Sequence, residues 1–134
     1  MSRYCLDTSA YSWFKRGDAR VVELVDQAEW IGMPCVVLGE LYAGFRMGSR
    51  VGRNEKELQE FLAEPVVEEL STDHEVARIF GAMVADLRTR GTPRPINNIW
   101  IAATCARAGA TLLTFDLHFL DFPRVGTLVL QPEP

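Results

Sequence analysis

A chain of 134 residues with 48% hydrophobic and 24% charged residues is long enough for one domain with its own core, and this composition excludes intrinsic disorder. The net charge of −4 excludes a globally basic nucleic-acid binder, so any hold on RNA or DNA must come from a local basic patch. Every apolar run is broken by Glu, Arg or Gly before it could span a bilayer, and no basic segment precedes an apolar one as in a secretory signal, so no membrane association is expected.

Tyr4-Cys5-Leu6 is a short apolar run led by an aromatic residue and reads as a buried strand. Asp7 stands at its end. There it either caps the helix predicted over 9–15 or faces the crevice at the carboxyl ends of a sheet's strands. That helix stops near Gly17, and Asp18 opens a second in which Val21, Val22, Leu24, Val25 and Ala28 recur at helical spacing. Trp30-Ile31-Gly32-Met33 is the second strand. Pro34 suits the first residue of a helix that runs through Val36, Val37, Leu41 and Phe45 to near Gly48, with Glu40 in its second turn. Residues 48–53 form a glycine-rich basic loop, after which Asn54 caps an amphipathic helix carrying Leu58, Phe61 and Leu62 on one face. Val66 to Leu70 is the third strand, and Thr72 with Glu75 fits a capping box at the start of a long helix ending at Gly91. Thr92-Pro93-Arg94-Pro95 cannot be helical; Asn97 or Asn98 caps the next helix, whose Ile99 to Ala103 suggest burial on most sides. Thr111 to Thr114 is the fourth strand, with Asp116 just beyond, Leu117 to Leu120 forms one turn, and Thr127 to Leu130 is the last strand.

Strands alternating with helices predict an α/β fold: one domain over 1–134, with a parallel central sheet of about five strands covered by helices on both faces. Asp7 and Asp116 then follow the first and fourth strands, and Glu40 lies on the helix after the second. If the first and fourth strands are neighbours where the strand order reverses, these acids converge. Clustered carboxylates repel one another, and a divalent cation resolves the repulsion. Oxygen ligands without His or Cys select magnesium, or manganese in its place, and such an ion can activate water against a phosphodiester. The alternative for each acid is a helix cap or a solvated surface position. Cys5, Cys35 and Cys105 lie among apolar neighbours without a CxxC spacing, which predicts buried free thiols in a reducing, cytoplasmic compartment.

Four stretches, Leu6-Asp7-Thr8-Ser9, Val37-Leu38-Gly39-Glu40-Leu41-Tyr42-Ala43-Gly44, Pro95-Ile96-Asn97-Asn98-Ile99-Trp100-Ile101-Ala102-Ala103 and Thr114-Phe115-Asp116-Leu117-His118-Phe119, occur in one order along nearly the whole chain. In these the chain resembles the PIN domains, and specifically the VapC-type toxin ribonucleases of bacterial toxin–antitoxin modules. The resemblance implies a magnesium-dependent endoribonuclease that cuts structured RNA of the tRNA or rRNA class, forms a homodimer and is inhibited by a cognate VapB-type antitoxin. Carried over by position, the catalytic set falls on Asp7, Glu40, Asn98 and Asp116, with Thr8 as a supporting hydroxyl and Asp7, Glu40 and Asp116 as metal ligands. Asn98 departs from the pattern, since the family normally has Asp there. Asparagine keeps a carbonyl oxygen but loses the charge, which implies a weakened active site. The alternative is a catalytically degenerate PIN-fold module that holds antitoxin or RNA without cutting.

A phosphatase of the haloacid dehalogenase type also places Asp after its first strand, but needs a second Asp two residues later, where this chain has Ser9. His74 and His118 read as cap and surface residues. Arg46, Arg50, Arg53, Arg88, Arg90 and Arg94 flank two loops and either solvate the surface or grip phosphates. Trp13, Trp30 and Trp100 read as core or dimer interface rather than as base-stacking platforms. Tyr11, Trp13 and Phe14 crowd the first short helix, so part of that surface is expected to pack against another protein chain.

Overall fold

A computed structural model describes residues 2–132 and contains five strands and six α-helices. Strand β1 (Arg3–Leu6) is followed by α1 (Thr8–Lys15) and α2 (Ala19–Gln27); β2 (Trp30–Pro34) by α3 (Cys35–Arg46) and α4 (Val51–Leu62); β3 (Val67–Leu70) by α5 (His74–Arg90) and α6 (Ile96–Ala108). Strand β4 (Thr111–Thr114) leads through a 3₁₀ turn over Leu117–Asp121 to β5 (Thr127–Val129). All pairings are parallel and the sheet order is β3-β2-β1-β4-β5. The chain therefore winds outward from β1 in one direction, returns, and winds outward from β4 in the other. Right-handed crossovers then place the first four helices on one face and α5 with α6 on the opposite face. The predicted α/β fold is present, with β1 beside β4 at the reversal point.

The centre of the sheet is buried on both sides, with Cys5, Leu6, Ile31, Met33, Leu112 and Leu113 fully inaccessible. Helix α6 is nearly as dry, through Ile99 and the run from Ile101 to Cys105, as its apolar sequence implies. Trp30 folds back over β2, and only a glycine at position 32 leaves it room: a Cβ there would lie 2.4 Å from the indole and 2.7 Å from Leu70. Gly91 and Gly109 end α5 and α6 in the left-handed region at φ 68° and 67°, where residues with a Cβ are strained. Among the described residues no helix is long and apolar enough to cross a membrane.

Several local expectations shift. Pro34 closes β2 and precedes α3 instead of opening it. Helix α4 starts at Val51, so Gly52, Arg53 and Asn54 lie inside it, and Asn54 is no cap. Burial of Leu58 and Phe61 and the Arg53–Glu57 pair at 3.0 Å outweigh the modest cost of one glycine. Asp73, not Thr72, caps α5, its carboxylate accepting from Val76 N–H at 3.0 Å. Neither Asn97 nor Asn98 caps α6; Pro95 occupies that place, and both asparagines fall in the first turn. Cys5 and Cys105 are buried free thiols as expected, but Cys35, the first residue of α3, is exposed. The aromatic residues of α1 find partners within the chain: Tyr11 meets Phe61 edge-on at 5.5 Å, Phe14 meets Phe61 at 5.3 Å, and Trp13 meets Phe115 at 5.5 Å. Part of the crowding is thus relieved within the chain, while Trp13 and Phe14 remain half-buried.

Candidate active site

The end of β1 delivers Asp7 to the reversal point, and both readings of this residue hold together. Its carboxylate caps α1, accepting from Ala10 N–H at 2.8 Å, while the residue lies at the carboxyl end of the sheet, only 4% exposed. Ser9 donates to both carboxylate oxygens at 2.7 and 3.0 Å. Thr114, the last residue of β4, donates to Oδ2 at 2.5 Å. The same threonine oxygen accepts from the Asp116 N–H at 2.9 Å, and the Ser9 oxygen accepts from the Phe115 N–H at 3.0 Å. Two hydroxyls therefore lace the segment after β1 to the segment after β4.

Burial pushes the Asp7 carboxyl above its ordinary value. Hydrogen bonds from Thr114, Ala10 and Ser9 pull the other way, and the charge of Asp116 adds a smaller upward push. Asp116 itself is half-buried and caps the 3₁₀ turn through His118 N–H at 2.9 Å. His118 is exposed, as expected of a surface residue, yet its Nδ1 lies 3.0 Å from Asp116 Oδ1.

Glu40 comes from α3. Thr8 Oγ1 donates to its Oε1 at 2.5 Å, and Asn97 Nδ2 donates to its Oε2 at 3.3 Å. Asp7, Thr8 and Glu40 are thus chained through adjacent backbone, and Asp116 joins them through Thr114. Asn98 is half-buried in the first turn of α6, whereas its neighbour Asn97 makes the contact to Glu40. Ser9 and Thr114 complete the arrangement and were not singled out from the sequence. Both lie within the stretches that carry the family resemblance, but nothing local marks either hydroxyl as a partner of Asp7.

The donor atoms offered by Asp7, Glu40 and Asp116 are all carboxylate oxygens, which suit a hard divalent cation. Asp7 provides the test of fit. Its anionic form is disfavoured by burial, the circumstance in which a bound cation is most stabilising. The donor chemistry therefore fits magnesium or manganese. The convergence is looser than expected from the sequence: among the described residues no three acidic, histidine or cysteine side chains are grouped closely enough to hold an ion. The hydrogen bonds from Thr8 and Asn97 hold Glu40 at its own station.

A family model of the PIN domain matches residues 4–125. The chain belongs to the PIN domain family. The resemblance carried by the four sequence stretches therefore stands. Ribonuclease VapC4 of Mycobacterium tuberculosis (strain ATCC 25618 / H37Rv) is 31% identical over 102 residues, covering 76% of this chain and 78% of that protein. The crystal structure of VapBC2 from Rickettsia felis bound to a DNA fragment from their promoter matches with a TM-score of 0.84 at 21% identity, covering 96% of this chain and 99% of the other. DNA-bound VapBC from Salmonella typhimurium matches with a TM-score of 0.83 at 22% identity, covering 96% and 98%. At such identities these two structures show a common fold.

Proposed function

We propose that this PIN domain, acting as one nuclease unit over residues 1–134, is a metal-dependent endoribonuclease toxin of a type II toxin–antitoxin module. The observation that carries the reading is the Asp7–Thr114–Asp116 linkage, which fixes a buried carboxylate beside a second acid at the sheet's reversal point. The 31% identity to Ribonuclease VapC4 supports it. Asp7, Glu40 and Asp116 would hold Mg²⁺, or Mn²⁺ as a substitute. When bound, that ion supplies Lewis-acid stabilisation of a phosphodiester and an activated water.

The chain's own residues do the positioning. Ser9 and Thr114 hold Asp7, Thr8 and Asn97 hold Glu40, and the turn after β4 holds Asp116. Asn98 brings a carbonyl oxygen where relatives bring a charge, so attraction for the ion and orientation of the water are weakened. The likeness to VapBC assemblies supports a VapB-type antitoxin as partner; a homodimeric toxin acting in the cytoplasm on RNA of the tRNA or rRNA class is what the resemblance to VapC-type toxins adds to the proposal.

The test is cleavage of total cellular RNA with Mg²⁺, with Mn²⁺ and with chelator, comparing the chain with Asp7→Asn and Asp116→Asn. Metal-dependent cleavage that both substitutions abolish is expected. Unchanged cleavage in both variants removes the proposed site. A second reading, a degenerate module that binds antitoxin or RNA without cutting, is favoured by Asn98 itself. Antitoxin binding without cleavage, in this chain and in Asn98→Asp alike, selects that reading.

A further inference from the structure

A cleft between α1, α3 and α4 is lined by Lys15, Arg16, Arg50 and Arg53, with Glu57 as its one carboxylate. This concentration of cations stands out on a chain whose net charge is −4. Glu57 takes up two of them, Lys15 at 3.3 Å and Arg53 at 3.0 Å. Among the described residues Arg16 and Arg50 form no ion pair, and both are exposed. Tyr11 forms part of the wall, and its buried hydroxyl has no hydrogen-bond partner among the described residues.

The cleft is continuous with the acids through an aromatic pair. Arg16 also lies 4.8 Å from the centre of the Trp13 ring, and Trp13 lies 5.5 Å from Phe115. Phe115 is the residue between Thr114 and Asp116. Both rings are half-buried, so each keeps an accessible surface. Acid, aromatic pair, stacked guanidinium and cationic cleft are thus linked contact by contact, from Phe115 through Trp13 to Arg16.

We infer that this linked surface is a track for single-stranded RNA next to the scissile bond, with a base resting on Trp13 and Phe115 and backbone phosphates taken by Arg16 and Arg50. The inference rests on the ribonuclease reading. Stacking surfaces interleaved with cations that form no ion pair are what a single strand needs. The rings accept any base, and the guanidinium groups neutralise phosphate without reading sequence.

The experiment measures fluorescence anisotropy of a labelled twelve-nucleotide single-stranded RNA of mixed sequence in chelator, over a range of salt, where no cleavage intrudes. Arg16→Gln and Arg50→Gln should each weaken binding and lower the salt slope by about 0.7, and the pair by about twice that. Lys56→Gln, a control exposed on α4 outside the cleft, should change neither. Trp13→Leu should weaken binding about tenfold with the slope kept, and Trp13→Tyr should restore most of it. Circular dichroism of each variant separates unfolding from lost contact. Affinity and slope unchanged in the double arginine variant, or no RNA binding by the parent chain, would overturn the track. Track-dependent binding without metal-dependent cleavage would leave the track and remove the nuclease reading; cleavage that ignores the arginines would do the reverse.

Discussion

Thr114 donates its hydroxyl proton to Asp7 and accepts the backbone N–H of Asp116 at the same oxygen, so one side chain fixes two acids at once. Both bonds are shielded from water, since Thr114 is fully buried. Thr114→Val keeps the shape and removes the oxygen, leaving the Asp116 N–H without its partner and Asp7 Oδ2 with Ser9 alone. A loss of about 1–3 kcal/mol in unfolding free energy is expected, with Thr114→Ser close to the parent chain. Denaturant melts of the three forms check this; equal stability of Val and Ser variants would show that the hydroxyl carries no weight.

Asp7 gives the molecule a defined pH response. Its folded-state carboxyl lies above the ordinary value of 3.8, so the folded chain holds that proton more tightly than the unfolded one. The stability this supplies is complete below pH 3.8 and is lost as pH rises through the folded value. At neutral pH, in chelator, Asp7→Asn should therefore melt at a higher temperature than the parent chain. The difference should shrink towards nil on acidification, because asparagine still accepts the helix-capping bond. A gain of the same size at every pH would refute the electrostatic origin.

Asn98→Asp places a carboxylate in the first turn of α6, where the helix N-terminus favours negative charge. It should tighten Mn²⁺ binding and raise ribonuclease activity by about 10²–10³ if the fourth charge orients the reaction electrostatically. In chelator it should melt slightly lower, through repulsion among the acids, and metal should restore it. Calorimetric titration with Mn²⁺ and a side-by-side cleavage assay decide the matter, and equal activity would make this position dispensable.

Arg94 ties the loop before α6 to the turn after Asp116, donating from both Nε and Nη2 to Asp121 Oδ2, while Arg90 reaches the Asp121 carbonyl at 3.1 Å. The pair is partly exposed, so Arg94→Ala should cost no more than about 1 kcal/mol. If the contact acts as a unit, adding Asp121→Ala should bring little further loss. Fully additive losses in the double variant would show that the two side chains act apart.

The strands, the parallel sheet and the chain positions of the acids were legible because each rests on local pattern: short apolar runs, each followed by an acid or by a helix that carries one. The start of α4 was not, since burial of Leu58 and Phe61 extends the helix back through Gly52 against local propensity. Ser9 and Thr114 escaped for a different reason. A hydroxyl reveals its role only once β1 and β4 are side by side, and nothing near Thr114 in the sequence announces Asp7. Cys35 misled because apolar neighbours on a helix do not share one face. The contacts of Tyr11 and Phe14 with Phe61 were not legible because Phe61 belongs to another helix.

The central pairing of β1 with β4 also sets when the acids first meet. Asp7 is synthesised before its partner Thr114, which lies 107 positions later. In a chain emerging from the ribosome, Asp7 has no hydroxyl from β4 and no Asp116 beside it until β4 and the turn after it have been made. Closing so long a loop is among the slower events available to a domain of this size. Fragments that stop short of β4, from broken messages or stalled ribosomes, hold the first acid of the set without its counterpart. Order of manufacture alone keeps the unfinished chain from bringing Asp7 and Asp116 together.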